Sequence, residues 1–124
     1  MGNIHSFRDL LVWQKAHQLV LEIYRLTKKF PSNEMFGLVS QIRRATVSVA
    51  SNIVEGFNRS SVQDSLHFYT MAHASLEEVK YQLLVARDLQ YITQQEYNHT
   101  LCLGEEVSKL LRSWINSQKE NTKA

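Results

Sequence analysis

Residues Gln41 to Gly56 read QIRRATVSVASNIVEG. Apolar positions recur through and just before this stretch at steps of three and four: Val39, Ile42, Thr46, Val49 and Ile53. That spacing lines one face of an α-helix. Leu38, Ala45, Ser48, Asn52 and Glu55 fall beside the stripe. Arg44, Ser48, Asn52 and Glu55 follow one another at steps of four, four and three, so they form a polar line along the same helix. An ordinary core-facing helix carries far fewer polar groups. A helix of this kind calls for a helical neighbour that answers those groups in register.

The chain after Gly56 supplies that neighbour. GFNRSS, residues 56–61, is a turn, with glycine close to the helix end where it serves as a stop. Ser60 or Ser61 caps the next helix, with Asp64 near the position of a capping box. That helix carries Tyr69, Ala72, Leu76, Val79, Leu83 and Ala86 on its apolar side. Thr93, with Glu96 three residues on, opens a last helix whose stripe is Leu103, Val107, Leu110 and Trp114, joined by Tyr97, Leu101 and Leu111. Before the polar stretch, Phe30-Pro31-Ser32-Asn33 is a break, because proline cannot continue a helix and restricts the residue before it. Ser32 or Asn33 then caps the second helix, with Glu34 in its first turn. The first helix is marked by Val12, Ala16, Leu19, Ile23 and Leu26, widened by Trp13, Val20 and Tyr24. Phe7 and Leu10 are expected to tuck against the bundle end.

The expected elements are helices at about 9–29, 33–57, 61–90 and 93–117, with 118–124 a frayed tail, all in one domain over residues 1–124. No strand pattern, internal repeat or low-complexity segment is present. Four helices with short links predict an all-α, antiparallel up-down-up-down four-helix bundle. Four glycines and one proline argue against a turn-rich β fold. A single cysteine, Cys102, excludes an internal disulfide framework, and its place on an amphipathic helix favours packing over reactivity. With no signal-peptide pattern at the N-terminus, a reducing cytoplasm is the natural compartment. No apolar run approaches the ~18 residues that span a bilayer, so no membrane is expected as a partner. Asn58-Arg59-Ser60 and Asn98-His99-Thr100 fit the glycosylation sequon and are read as chance.

Antiparallel pairing through the 57–61 turn brings position 44 near 75 and position 41 near 78. Gln41, Arg44, Ser48, Asn52, Glu55, Ser75 and Glu78 therefore form a polar network that sets helix register, or else a binding groove or subunit contact. Arg44 is expected to reach Glu78, and Glu55 to accept N–H groups from the start of the third helix. Asp64/His67 and Glu96/His99 have the i, i+3 spacing of di-iron bundles. They begin successive antiparallel helices, so they sit at opposite ends and cannot share an ion; no metal is expected. His5, His17 and His73 do not cluster. There is no glycine-rich phosphate loop and no nucleophile motif, so neither catalytic residues nor a cofactor are expected.

Several stretches together resemble a known family. Phe7-Arg8-Asp9-Leu10 and Val12-Trp13-Gln14-Lys15-Ala16 are similar to the opening of the four-helix-bundle family encoded in intervening sequences of bacterial 23S ribosomal RNA genes. Phe30-Pro31, Glu34, Gln41-Ile42-Arg43-Arg44-Ala45, Ser48, Asn52-Ile53-Val54-Glu55-Gly56, Ser75-Leu76 and Glu78 follow its pattern, from about Phe7 to Trp114. The resemblance implies a bundle that assembles as a ring-shaped homopentamer. It also implies a distant relation to the accessory variability determinant of diversity-generating retroelements, a basic pentamer that partners a reverse transcriptase and binds nucleic acid. For the intervening-sequence branch itself the resemblance implies no established role.

The formal net charge of +2 permits an acidic partner without demanding one. Topology gathers Arg8, Arg59, Arg112, Lys119 and Lys123 at one end, where the first helix begins and the fourth ends. Arg25, Lys28 and Lys29 collect at the other. Five copies in a ring would turn a weakly basic end into a positive rim able to hold phosphates without reading sequence. The first expectation is thus a non-enzymatic homo-oligomer touching RNA or DNA, such as ribosomal RNA or a ribonucleoprotein. The second is a protein-interaction scaffold, for example an accessory subunit of a reverse transcriptase. An enzyme is the third, and needs a pocket with convergent titratable groups. Trp13, Tyr24 and Phe36 are candidates for an oligomer seam.

Overall fold

A computed structural model describes residues 4–123, with the backbone alone for residues 122 and 123. Four helices carry the fold: α1 (Leu11–Thr27), α2 (Ser40–Phe57), α3 (Val62–Asp88) and α4 (Gln94–Lys123). No strand occurs among the described residues. Each helix packs on the next in chain order, and α4 returns to α1, which closes the bundle.

Cross-helix contacts fix the directions. Arg43 Nε of α2 donates to Thr27 Oγ1 of α1 at 2.8 Å, the Ser48 and Ser75 hydroxyls meet at 2.9 Å between α2 and α3, and Lys80 of α3 reaches Glu105 of α4 at 2.8 Å. Lys29 pairs with Glu96, and Lys15 with Glu106, between α1 and α4. Ser65 reaches Gly56 while Ser75 meets Ser48, Trp114 meets Tyr69 while Glu105 meets Lys80, and Glu106 meets Lys15 while Glu96 meets Lys29, so α2–α3, α3–α4 and α4–α1 run antiparallel, and α1–α2 therefore does too. The core is the sum of the apolar stripes: Leu19, Ile23 and Leu26 of α1, Ile42, Val49 and Ile53 of α2, Tyr69, Leu76, Val79 and Leu83 of α3, and Val107 and Leu111 of α4, all buried.

Caps explain both ends of α3 and the start of α4. Ser61 Oγ accepts from Asp64 N at 3.1 Å to open α3. Thr93 Oγ1 accepts from Glu96 N at 3.0 Å while Glu96 Oε1 accepts from Thr93 N at 2.9 Å, a reciprocal box that opens α4. After α3 the chain turns through Gln90 at φ 63°, with Tyr91 N donating to Ala86 O at 2.9 Å, the 6→1 bond that ends a helix in a left-handed residue.

Three boundaries differ from expectation. A capping box of Ser6 and Asp9 closes a short 3-10 turn at Phe7–Asp9, and extended Leu10 (ψ 123°) breaks it from α1, which starts at Leu11. The second helix starts at Ser40 rather than near residue 33. Ser32–Glu34 form only one 3-10 turn, and Met35–Val39 wind as a wide π-type turn with Gly37 outside helical geometry (φ −111°, ψ −112°). Glu34 stabilises that turn by accepting from Leu38 N at 3.2 Å and from the Tyr91 hydroxyl at 2.7 Å. Finally, residues 118–123 of the stretch expected to fray are helical, and Ala124 lies outside the described residues: α4 continues to Lys123, because Gln118, Lys119 and Glu120 are good helix formers and no glycine or proline interrupts them.

Candidate functional site

The polar line of α2 faces α3, and the two helices approach closely near their joining turn. Gly56 permits this: a Cβ there would lie 2.5 Å from Cε1 of Tyr69, which is 1% exposed. Ser65 Oγ donates to the Gly56 carbonyl at 2.6 Å and satisfies a carbonyl at the end of α2. One to two turns further along, Asn52 Nδ2 donates to Ser48 O at 2.9 Å and to Ser48 Oγ at 3.0 Å, and Ser48 Oγ meets Ser75 Oγ. Ser48, Asn52 and Ser75 are therefore joined in one chain of hydrogen bonds.

Next to the two serines, on the side away from the joining turn, lies a cleft of about 270 Å³ lined by Gln41, Arg44, Ala45, Ser48, Ser75 and Glu78. Arg44 and Glu78 stand on opposite walls but do not pair, contrary to the expected ion pair. Glu78 Oε2 instead accepts from Gln82 Nε2 at 3.1 Å, and Gln82 is buried. Arg44 has no hydrogen bond or ion pair among the described residues. Both side chains are exposed, so hydration replaces the contact that a dry interface would force. Glu55 also departs from expectation. It binds Arg59 at 2.6 Å, four residues on along its own helix and turn, rather than backbone N–H groups of α3.

The basic residues at the end where α1 begins and α4 finishes divide into three kinds. Arg59 is tied to Glu55, and its guanidinium lies 4.3 Å over the Phe68 ring. Arg8, 5.8 Å over Phe7, is exposed, as are Arg112 and Lys119. Arg112 sits further along α4, near enough to α3 to help hold the Glu77 carboxyl down, after the larger effect of the Lys80 hydrogen bond. The side chain of Lys123 lies outside the described residues. Asp9, Glu55, Asp64 and Glu120 are interleaved with these cations. Ile4, Arg59, Trp114 and Gln118 line one shallow depression there, which ties the α2–α3 turn to the last turns of α4.

Other polar contacts were not anticipated. Lys80 is half-buried between Glu77 and Glu105, at 2.8 Å from each, and the i, i+3 spacing of Glu77 and Lys80 was the available signal for half of it. Burial pushes the Lys80 ammonium down, but the hydrogen bonds from the two carboxylates outweigh it and leave it raised. Arg43 lies 4.6 Å over the Tyr24 ring, on the side of α2 away from Arg44. Cys102 is exposed, not packed, since α4 turns it away from the core. Phe36 is 97% exposed beside exposed Met35 on the wide turn, Tyr24 is at the exposed margin, and Trp13 is half-buried between Phe7 and His17. Among the described residues no three of His, Cys, Asp and Glu come together as metal ligands, and no helix is long and apolar enough to cross a membrane.

The model of the 23S rRNA-intervening sequence protein family matches residues 8–113, from the first turn through most of α4. The chain belongs to that family. A crystal structure of a protein of unknown function from the S23 ribosomal protein family of Bacteroides thetaiotaomicron VPI-5482 is similar to it at 27% identity. The match covers 86% of this chain and 96% of that one, with a TM-score of 0.79. No curated protein matches. In this 23S rRNA-intervening sequence family member the cleft residues all lie inside the matched span, as do Arg8, Arg59 and Arg112. Lys119 and Lys123 lie beyond it.

Proposed function

We propose that this chain is a non-enzymatic, homo-oligomeric bundle that associates with nucleic acid, ribosomal RNA or a ribonucleoprotein, through weak phosphate contacts that do not read sequence. What supports the reading is that the antiparallel topology brings the segments carrying Arg8, Arg59 and Lys119 to one end, with Arg112 further along α4. One copy of that end is weak, because acidic residues are interleaved with the basic ones. A ring of five copies repeats it and converts modest single contacts into avidity. The family's association with 23S ribosomal RNA genes supports RNA as the first nucleic acid to test. The decisive experiment is fluorescence anisotropy with a structured 23S rRNA fragment across a salt series, alongside light scattering for oligomeric state. Affinity is expected to fall linearly in log–log form as salt rises, by counterion release. No binding at low ionic strength would refute the reading.

A second reading, a protein-interaction scaffold such as an accessory subunit of a reverse transcriptase, is favoured by one observation. Phe36 is 97% exposed next to Met35 on a turn held by Glu34 and Tyr91, and exposed aromatic residues on a held backbone suit protein contacts. A partner captured after nuclease treatment by the native chain, but not by Phe36→Ser, would support this reading.

A further inference from the structure

We propose that the α2–α3 cleft binds a small zwitterion, a free α-amino acid, with its carboxylate at Arg44 and its ammonium at Glu78. This surface is distinct from the basic end, and the inference does not depend on nucleic-acid binding. Three observations carry it.

First, the cleft holds one positive and one negative group on opposite walls, and neither neutralises the other. A phosphate attracted by Arg44 would meet the Glu78 carboxylate. A simple cation attracted by Glu78 would meet the guanidinium. A ligand with both charges, held apart, satisfies both walls.

Second, the cleft has a spare donor between the poles. Ser48 and Ser75 share a single hydrogen bond, and Asn52 already donates to Ser48 Oγ. Two hydroxyls carry two protons, and their mutual bond uses one, whichever serine donates. One O–H therefore remains to reach a ligand carboxylate beside Arg44.

Third, neighbouring side chains hold one wall and leave the other to the cleft. Buried Gln82 holds one oxygen of Glu78, leaving the other to accept an ammonium, and Arg43 is engaged with Thr27 and Tyr24, so Arg44 alone of the pair lines the cleft. The volume of about 270 Å³ falls just below the range of sites that take drug-sized molecules, which suits a ligand of amino-acid size.

The test is an amide NMR titration of the full chain with a pool of the proteinogenic L-amino acids and then with its members singly. Acetate, methylammonium, inorganic phosphate and a short RNA are the comparison probes. At least one amino acid should give saturable shifts confined to residues 41–48 and 75–82. Acetate and methylammonium should each bind at least about tenfold more weakly. Arg44→Gln and Glu78→Gln should each weaken binding by a similar factor without shifting Tm, since both side chains are exposed. If a single variant loses its fold, the preference for the amino acid over acetate and methylammonium on the native chain decides alone. The proposal is overturned by the absence of saturable shifts with any amino acid. It is equally overturned if phosphate, acetate or RNA saturates the same residues as tightly, because Arg44 would then be a plain anion contact.

Discussion

Two glycines in this bundle face opposite circumstances, and the same substitution should move stability in opposite directions. At Gly56 an added Cβ would stand 2.5, 2.8 and 3.0 Å from three ring carbons of Tyr69. That ring is buried and meets the edge of Trp114 with centroids 6.3 Å apart, so it has little room to retreat. Overpacking of a filled core costs about 1–3 kcal/mol, and contacts this short call for the upper half of that range. Alanine returns about 1 kcal/mol of helix propensity. Gly56→Ala should therefore lose about 1–2 kcal/mol, or roughly 3–10 °C in Tm for a chain of this length. At Gly104, buried in the middle of α4, an added Cβ meets no atom within 4 Å. Gly104→Ala keeps the propensity gain without the clash and should gain about 1 kcal/mol, or roughly 3–5 °C. Urea and thermal unfolding of the two variants and of their combination measure both terms. Gly104 lies ten residues along α4 from Trp114, which meets Tyr69, so the two sites are about 15 Å apart along the bundle and the effects should add. Tyr69→Leu in the Gly56→Ala background should recover part of the loss. A Gly56→Ala protein as stable as the parent would refute the close α2–α3 approach on which the cleft geometry depends.

Acid should destabilise the fold through its tied carboxylates. The Tyr91 hydroxyl and then Leu38 N hold Glu34 below the ordinary glutamate value of 4.5, and Lys29 and then Thr93 N do the same for Glu96. Their folded values lie below their unfolded ones, so the stability they contribute is complete above about 4.5 and is lost as pH falls through the folded values. Tm followed downward from neutral pH should hold steady and then drop, and Glu34→Gln should shrink that drop. Lys80→Met keeps the buried stem but removes the charge between Glu77 and Glu105, at 2.8 Å each. It should cost about 1 kcal/mol at low ionic strength and less in high salt, measured by urea unfolding. Cys102, exposed on α4, should react with a thiol reagent in the native state. Protection that lasts until denaturant is added would contradict its placement.

The sequence was most legible where local chemistry and packing agree. Thr93 with Glu96, and Ser61 before Asp64, start helices because side-chain oxygens satisfy free N–H groups within a few residues, and such signals are local. The register of α2 on α3 was legible to within about one turn: the length of the joining turn put Arg44 opposite Ser75, whereas Ser75 meets Ser48, one turn along, and shares only the walls of a cleft with Arg44. The start of α2 was not. Ser32, Asn33 and Glu34 look like a cap, yet Gly37 lets the chain leave helical geometry, and Glu34 spends its oxygens on Leu38 and on Tyr91, a residue 57 positions away. The separation of Arg44 from Glu78 was hidden too. Opposition across an interface predicts nearness, whereas pairing depends on rotamers of long exposed side chains and on rivals such as Gln82. The extent of α4 was misjudged because loss of an apolar stripe signals loss of burial, not loss of helix.

The bracing between links has a mechanical consequence. The α1–α2 and α3–α4 links lie at the same end, and Tyr91 to Glu34 together with Lys29 to Glu96 fasten one hairpin to the other there. At the opposite end the α2–α3 turn is a covalent join. Between α1 and α4 the Lys15–Glu106 ion pair is a further cross-link, but the seam is not filled at that far end. Ile4, Leu10, Leu110 and Trp114 border an open hollow in it instead. The two hairpins are thus clamped at the end that carries both of their links, and their relative motion should be smallest there.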